Sequence, residues 1–214
     1  IYRLFSGLQA IISGKKLIFS DSGRHFESVE MFADPMQNPR IRTLMRVLPE
    51  NDKAIIFCRY ESEISQLCSL LPDSVRFDGS VSQKERDRNL TLFQKEKKYL
   101  VANKTCAGYS LNLQFCHNII YMSNDWELGK RLQSEDRVHR LGQDHEVFIT
   151  DICAEGTLDE KIIDCLYRKE NLLDRIVADL DNSADCKSLL SKTIYGSRYQ
   201  REIFDCSELE DNDL

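Results

Sequence analysis

The sequence predicts an α/β fold, a doubly wound and mostly parallel sheet with a helical C-terminal extension. Two observations lead to this prediction. From residue 53 onward, short apolar runs alternate with segments in which apolar residues recur at helical spacing. The chain of 214 residues is also long enough to bury one substantial core. Ligands of such sheets bind at the carboxyl ends of the strands, so we expect the functional residues there.

The apolar runs define the predicted strands, which cover residues 53–58, 75–77, 99–102, 118–122 and 146–153. Helices are predicted between and after them, at 61–71, 83–98, 128–140 and from 157 to about 180. Ser82 and Thr157 precede two of these helices and are expected to be their N-caps. In the first fifty residues, the pattern predicts a strand at 17–19, an extended stretch at 34–39 and a helix at 39–48.

The composition leaves the class of partner open. The formal net charge is -6, but six acids lie in residues 202–214, and the rest of the chain is close to neutral. This acidic tail is expected to be disordered. The charge therefore neither supports nor excludes binding to nucleic acid. No apolar run approaches the ~18 residues that a membrane-spanning helix requires, so no membrane contact is expected.

The eight cysteines lack the spacing of a zinc site, and no structural metal is expected. Cys58 and Cys153 lie in apolar runs, where cysteine acts as a small buried hydrophobe. This usage indicates a reducing compartment, either cytoplasm or nucleus. The chain begins at Ile1 with neither an initiator methionine nor a signal peptide pattern, which predicts a fragment or a processed piece.

Arg137 and Arg140 form the most informative pair in the chain. Residues three apart share one face of a helix, so both guanidinium groups could point at a single anionic target. Arginine stays charged and donates its hydrogen bonds in a fork, which suits phosphate and the charge that develops in phosphoryl transfer. The alternative is a solvated helix face that carries ordinary surface arginines.

The string around this pair, QSEDRVHRLGQ at 133–143, resembles motif VI of the superfamily-two helicases in the form found in Swi/Snf-type DNA translocases. The resemblance implies that Arg137 and Arg140 are arginine fingers. It also implies that Gln133 and Asp136 lie at the ATP site, or that Gln133 contacts the opposite motor lobe. His139 is expected to be a structural hydrogen-bonding residue. This sequence is especially similar to that of phage and bacterial members of the family. If the protein is encoded by a phage, the similarity implies that it is located in the host cytoplasm.

The segment KAIIFCRY at 53–60 is similar to motif IV of the same family, a strand whose end faces the nucleic acid. The similarity implies DNA contacts by Arg59 and Tyr60, whereas the alternative is a core strand with a polar end. The block VRFDGS at 75–80 is also similar to a family block. There Gly79 is expected to allow a tight turn and the close approach of a DNA phosphate.

The segment KTCAGYSLNL at 104–113 resembles motif V. The resemblance implies that Lys104 and Thr105 contact the DNA backbone, and that Gly108 and Asn112 face the nucleotide. Small residues in such a loop can offer backbone N–H groups to phosphates. Two positions where the family commonly has glycine carry alanine and serine here, which puts contacts that need positive φ in doubt. The alternative is a plain loop between a strand and a helix.

The resemblance spans about residues 8 to 175 and also includes NIIYMSNDW at 118–126 and EGTLDEKI at 155–162. Trp126 is expected to pack rather than to stack on a base. The resemblance implies four regions. Residues 1–50 are the end of an upstream insertion with a linker, and 51–156 are a RecA-like helicase C-terminal domain. Residues 157–200 are bracing helices, and 201–214 are the acidic tail.

The elements that hold a nucleotide phosphate in the other motor lobe are missing from the sequence. Residues 13–16 (SGKK) lack the first glycine and the final Ser or Thr of a phosphate-binding loop, and no D-E-x-x box follows a strand. The resemblance therefore implies the C-terminal RecA-like lobe of an ATP-dependent DNA helicase or translocase. ATP and Mg²⁺ are then held mainly by the N-terminal RecA-like lobe of the same protein, and double- or single-stranded DNA is the partner.

This chain alone is accordingly expected to hydrolyse little or no ATP. Two alternatives remain open. A helicase-like lobe without catalysis could serve as a protein- or nucleic-acid-binding module, and an intact phosphate-binding loop upstream of residue 1 would argue against that. A Rossmann-type nucleotide enzyme has weaker support, because no G-x-G-x-x-G follows a strand.

Overall fold

The computed structural model describes residues 2–19, 26–104, 113–138 and 145–168. The chain divides into two compact units. Of the described residues, those from 2 to 47 and from 153 to 161 form the first unit, and those from 48 to 152 and from 162 to 168 form the second. No helix in the described ranges is long and apolar enough to cross a membrane.

The first unit begins with a helix, a hairpin and a second helix. Its elements are α1 at Tyr2–Ile12, β1 at Lys15–Phe19, β2 at Phe26–Glu30 and α2 at Pro39–Val47. The strands pair antiparallel, and a 3-10 turn at Pro35–Gln37 leads into α2. The predicted strand near residue 17 and the predicted helix from residue 39 are both confirmed. Neither α1 nor β2 was predicted from the apolar pattern.

Gly14 occupies the tight turn between α1 and β1 with a φ of 83°, a backbone conformation that glycine adopts at low cost. A Cβ at this position would lie 2.5 Å from Nδ2 of Asn38. That amide donates a hydrogen bond to the carbonyl oxygen of Ser13 at 3.3 Å. The turn therefore needs glycine for its dihedral angle and for the close approach of Asn38.

The second unit contains five parallel strands in the order β4-β5-β3-β6-β7. Their bounds are Ala54–Cys58 for β3, Ser74–Phe77 for β4, Tyr99–Asn103 for β5, Asn118–Tyr121 for β6 and Phe148–Asp151 for β7. The α/β class and the parallel sheet are confirmed. Strand β3 lies at the centre and is buried at every position, as expected for a continuous apolar run in a parallel sheet.

Helices α3 at Glu61–Leu70, α4 at Gln83–Lys95 and α5 at Leu128–Glu135 belong to this unit, and α6 covers Leu158–Tyr167. Both predicted N-caps are confirmed. Ser82 Oγ accepts from the backbone N–H of Glu85 at 3.2 Å, and Thr157 Oγ1 accepts from that of Asp159 at 3.2 Å. These bonds satisfy backbone donors that the first turn of a helix leaves unpaired.

Helix α5 is shorter than predicted and ends at Glu135 rather than near residue 140. The backbone N–H of Val138 bonds to the carbonyl oxygen of Glu135 at 3.0 Å, so the chain leaves the helix in a tighter turn. Val138 is fully buried in the sheet core. Burial of this side chain accounts for the early end, and Arg137 therefore follows the helix instead of lying on it.

A buried ion pair in the first unit supports a prediction on stability. The guanidinium of Arg40 donates to the carboxylate of Asp159, and both side chains are almost fully buried. Arg40→Met is expected to lower the free energy of unfolding by about 3 kcal/mol, because the carboxylate would stay buried without its cation. The double variant Arg40→Met/Asp159→Leu should regain most of that loss. Urea titrations measure the free energy of unfolding of both variants. An equal loss in the single and the double variant would contradict a buried ion pair between Arg40 and Asp159.

Candidate functional site

Polar side chains gather where four neighbouring strands of the second unit end. Arg59 and Tyr60 follow β3, Lys104 follows β5, Asn124 comes three residues after β6, and Asp151 is the last residue of β7. The carboxyl ends of parallel strands lie at one edge of the sheet, so these residues share one region. This is the edge at which the sequence places the functional residues.

A buried carboxylate holds the turn between β3 and α3. Glu63 is 1% exposed, and its Oε2 accepts from the backbone N–H of Tyr60 at 3.1 Å and from Ser123 Oγ at 2.6 Å. Ser123 Oγ in turn accepts from the backbone N–H of Arg59 at 2.8 Å. These bonds fasten the residues after β3 to the end of β6, so the Arg59–Tyr60 turn has a defined position.

The guanidinium of Arg59 lies against aromatic rings, with its central carbon 4.6 Å from the ring centroid of Trp126 and 5.6 Å from that of Tyr60. Such cation–π contacts stabilise a guanidinium and restrict its orientation. Trp126 is 7% exposed, which confirms its predicted packing role. DNA contacts by Arg59 and Tyr60 remain a prediction, and the structure leaves both side chains partly exposed.

Asn124 joins three elements at this edge. Its Oδ1 accepts from Lys104 Nζ at 2.9 Å and from Arg131 Nη1 at 3.1 Å, and its Nδ2 donates to Asp151 Oδ1 at 2.6 Å. Arg131 also forms a bidentate pair with Asp151, at 2.6 and 3.0 Å, and its Nε donates to Glu135. We refer to Lys104, Asn124, Arg131 and Asp151 as the Asn124 network.

Tyr121 lies beneath the two cations of the network. The central guanidinium carbon of Arg131 is 3.5 Å from the ring centroid, and Lys104 Nζ is 5.1 Å from it. The tyrosine hydroxyl is paired with Ser134 Oγ at 2.6 Å. Burial raises the pKa of Tyr121 well above its usual range, so the phenol stays neutral.

Burial alone lowers the pKa of both cations, but the net shifts differ in direction. It lowers the pKa of Lys104 to about 8, against the attraction of Asp125. For Arg131, burial alone would lower the pKa, but the hydrogen bonds and charge of Asp151 outweigh it and raise the pKa. Arg131 therefore remains fully charged, whereas Lys104 loses its proton in mildly alkaline solution.

The burial of Lys104 corrects one prediction. The sequence assigns this residue to the DNA backbone, but only 2% of it is exposed and its ammonium group bonds to Asn124. A backbone contact requires an ammonium group that reaches the surface. The apolar strand that precedes Lys104 carries the residue into the dry end of the sheet, where Asn124 and Tyr121 surround its charge.

The turn at Gly79 also differs from the prediction. The structure gives Gly79 no positive φ, and a Cβ there would meet no atom within 4 Å. The turn is held instead by Asp78, whose Oδ1 accepts from the backbone N–H of Ser80 at 2.9 Å and from its hydroxyl at 2.6 Å. The open space beside Gly79 leaves the predicted approach of a phosphate possible, but the turn itself does not depend on glycine.

Of the predicted ATP-site residues, Gln133 and Asp136 are exposed, and Arg137 is half-buried with its carbonyl oxygen accepting from the backbone N–H of Leu113 at 3.3 Å. The remaining predicted site residues lie outside the described residues, namely Thr105, Gly108, Asn112 and Arg140. In the described ranges, no group of three or more His, Cys, Asp or Glu side chains is placed to hold a metal ion. The location of Mg²⁺ on the other lobe stays a prediction.

The sequence did not single out Glu63, Asn124, Arg131 or Asp151 as site residues. Arg131 and Glu135 are four apart, which is the spacing of an ion pair along a helix, and this was the available signal. Asn124 and Asp151 are 27 residues apart in the chain, and their contact depends on the parallel pairing of β6 with β7. No local pattern contains that contact.

Residues 39–142 match the helicase conserved C-terminal domain. An uncharacterized ATP-dependent helicase of Bacillus subtilis, YqhH, is 32% identical over 136 residues, which are 62% of this chain and 24% of that protein. The ISWI chromatin-remodeling complex ATPase CHR11 of Arabidopsis thaliana is 29% identical over 170 residues, 72% of this chain and 16% of its own length. The chain thus spans less than a quarter of these relatives.

The Sulfolobus solfataricus SWI2/SNF2 ATPase core in complex with double-stranded DNA is similar in structure, with a TM-score of 0.55 and 29% identity. The similarity covers 75% of this chain and 36% of that one. A second structure, the Sulfolobus solfataricus SWI2/SNF2 ATPase core domain, matches with a TM-score of 0.52 and 27% identity over 74% of this chain and 34% of that one.

The sheet, its polar edge and the match at 39–142 define a helicase C-terminal domain. The relatives and the solved structures narrow the class. They support a C-terminal lobe of the SWI2/SNF2 type, which is the class that the motif VI string predicts.

The burial of Lys104 leads to a prediction on pH. Its pKa is about 8 in the folded chain and 10.5 when unfolded, so between these pH values the unfolded chain holds a proton that the folded chain has released. The free energy of unfolding therefore rises with pH across this window. Relative to Lys104→Met, the wild type is expected to gain about 3 kcal/mol between pH 7 and pH 11.

Urea titrations of both proteins across this range measure the difference, because other groups titrate alike in the two. Lys53→Met is the matched control, since Lys53 is only partly buried and bonds to backbone carbonyls of the same unit. If the difference in the free energy of unfolding between wild type and Lys104→Met does not change with pH, the lowered pKa of Lys104 is contradicted.

Proposed function

We propose that this chain is the C-terminal motor lobe of an ATP-dependent DNA helicase or translocase. The observation that supports this most is the arrangement at one sheet edge. The end of motif IV, the start of motif V and the helix that leads into motif VI meet there. Buried hydrogen bonds through Asn124 connect the start of motif V with that helix. A lobe that binds DNA with some of these residues and a nucleotide with others could link the two events.

In this proposal Arg137 and Arg140 reach the γ-phosphate of ATP when the N-terminal RecA-like lobe of the same protein closes on this one. Arginine fingers stabilise the charge that develops during phosphoryl transfer. The position of Arg137 supports its role, because the residue follows a helix that Arg131 anchors to Asp151. Gln133 and Asp136 are exposed beside it and are proposed to contact the nucleotide or the opposite lobe.

ATP and Mg²⁺ are proposed to bind mainly to that N-terminal lobe. The residues described here supply no metal-binding cluster, so no step proposed for this lobe involves the ion directly. When bound, Mg²⁺ would neutralise charge on the transferred phosphate. This lobe would contribute donors for the γ-phosphate and would help to exclude water on closure.

Arg59 and Tyr60, with the loop that contains Thr105, are proposed to hold one DNA strand by its backbone. Backbone contacts fix register without reading sequence, which is what a motor that moves along DNA requires. The cation–π contacts of Arg59 support this role, since they orient its guanidinium before DNA binds.

Arg140→Ala in the full-length protein is expected to lower kcat for ATP hydrolysis by about 10³ to 10⁵-fold, because a finger acts mainly in the transition state. Arg137→Ala should have an effect of the same kind. Arg140→Lys keeps the charge but loses the fork, and it should recover only a small part of the rate. Steady-state ATPase assays measure these effects, with the KM for ATP expected to change much less than kcat.

Arg88→Ala on the exposed face of α4 is the control for loss of one positive charge. An unchanged kcat in Arg140→Ala would rule out the finger assignment. Measurable ATP turnover by the present chain alone would show that the hydrolytic site had been placed on the wrong lobe.

Arg59→Ala in the full-length protein is expected to weaken DNA binding by a similar factor for all sequences, because a phosphate contact is lost. The slope of log affinity against log salt should fall by about one unit. Fluorescence anisotropy with two unrelated duplexes over a range of salt concentrations measures both quantities. Arg88→Ala again serves as the matched control, and a salt slope that Arg59→Ala does not alter would exclude a phosphate contact by Arg59.

A further inference from the structure

We infer that Asn124 is a positioning residue through which DNA bound at motif V changes the placement of the arginine fingers in motif VI. The inference rests on the proposed function and adds a residue that neither motif contains. Three side-chain contacts of Asn124 carry it. They connect the residue that precedes the motif V loop, the helix that precedes the fingers and the edge strand β7.

One end of this connection lies at motif V. Lys104 is the residue directly before Thr105, where the predicted DNA loop begins, and its Nζ bonds to Asn124 Oδ1 at 2.9 Å. Lys104 is almost fully buried, so its ammonium group is held away from solvent. A displacement of the backbone at 104 must therefore be passed to the Asn124 side chain.

The other end lies at motif VI. Arg131 Nη1 bonds to the same Oδ1 at 3.1 Å, and Arg131 Nε donates to Glu135, the last residue of α5. Only Asp136 separates Glu135 from Arg137. The carbonyl oxygen of Arg137 also accepts from the backbone N–H of Leu113, the first described residue after the loop. Leu113 is thus bonded directly to the segment that carries Arg137, whereas Lys104 is linked to the helix before it through Asn124.

Lys104 and Arg131 share one carboxamide oxygen, which links their positions. A carbonyl oxygen has two lone pairs, and here one cation occupies each. The nearest carboxylate oxygen to Lys104 is on Asp125, at 3.8 Å, too far for a hydrogen bond. Asp151 accepts from Arg131, Asn124 and Tyr167 but from no atom of Lys104, so Asn124 is the side chain that connects Lys104 with Arg131 in the described contacts.

The test is Asn124→Leu in the full-length protein, which removes the bridging oxygen and keeps similar volume. ATPase is measured with and without duplex DNA, together with DNA affinity. The expected result is a fall of roughly tenfold in the ratio of DNA-stimulated to basal kcat, within the range found for coupled sites. Basal kcat and DNA affinity should stay within about twofold, since Asn124 contacts neither ligand in the proposed function.

Asn118→Leu is the matched control. Asn118 begins the same strand, β6, and its Nδ2 donates to the carbonyl oxygen of Lys53 at 3.1 Å, at the opposite end of the sheet. Asn118→Leu should leave the ratio of DNA-stimulated to basal kcat unchanged. If Asn124→Leu does not fold, Asn124→Ala supplies the same measurement with a smaller side chain, and circular dichroism checks the fold of each variant.

The outcomes separate the two proposals. A wild type whose ATPase does not respond to DNA overturns the proposed function and, with it, the coupling. A wild type that responds and an Asn124→Leu variant with the same ratio overturn the role of Asn124 alone. Equal losses of basal and stimulated rates would also overturn it, because they would show a purely structural effect. A loss confined to the stimulated rate supports the coupling.

Discussion

The buried pair of Arg131 and Asp151 is the interaction on which the functional edge of the sheet depends. Each side chain is 6% exposed, so each charge has lost most of its hydration. A buried pair of this kind is stable only when nearly every donor and acceptor is satisfied. Asp151 meets this condition, with two bonds from Arg131 and one each from Asn124 and Tyr167. The pair is therefore held by hydrogen bonds from three different side chains.

These bonds explain how a short helix can fix the position of the residues that follow it. Helix α5 has eight residues and would be marginal by itself. Arg131 ties it to β7, Ser134 ties it to β6 through Tyr121, and Val138 holds the following turn in the core. These three attachments leave little freedom for the three residues between Ser134 and Val138, of which Arg137 is the last. Arg137 thus owes its position to its neighbours rather than to helix geometry.

The main elements of the sheet could be predicted from the sequence because each strand is a local apolar run. The end of α5 could not, since it depends on where Val138 meets a core built by distant residues. Strand β2 has the polar sequence FESVE and pairs in a two-stranded hairpin, which leaves little apolar pattern to detect. Motif strings likewise identified exposed residues such as Gln133 but missed Asn124, whose contacts are all long-range apart from Arg131.

The mistaken assignment of Lys104 shows why burial changes what a basic residue can do. A lysine at the surface would add to DNA affinity through its charge. Buried against Tyr121 and held by Asn124, it cannot contribute in that way, and its pKa of about 8 reflects the loss of water. The same dryness strengthens each hydrogen bond around it, because no solvent competes for the partners. Lys104 is thus better suited to connecting the end of β5 with Asn124 than to contacting a ligand at the surface.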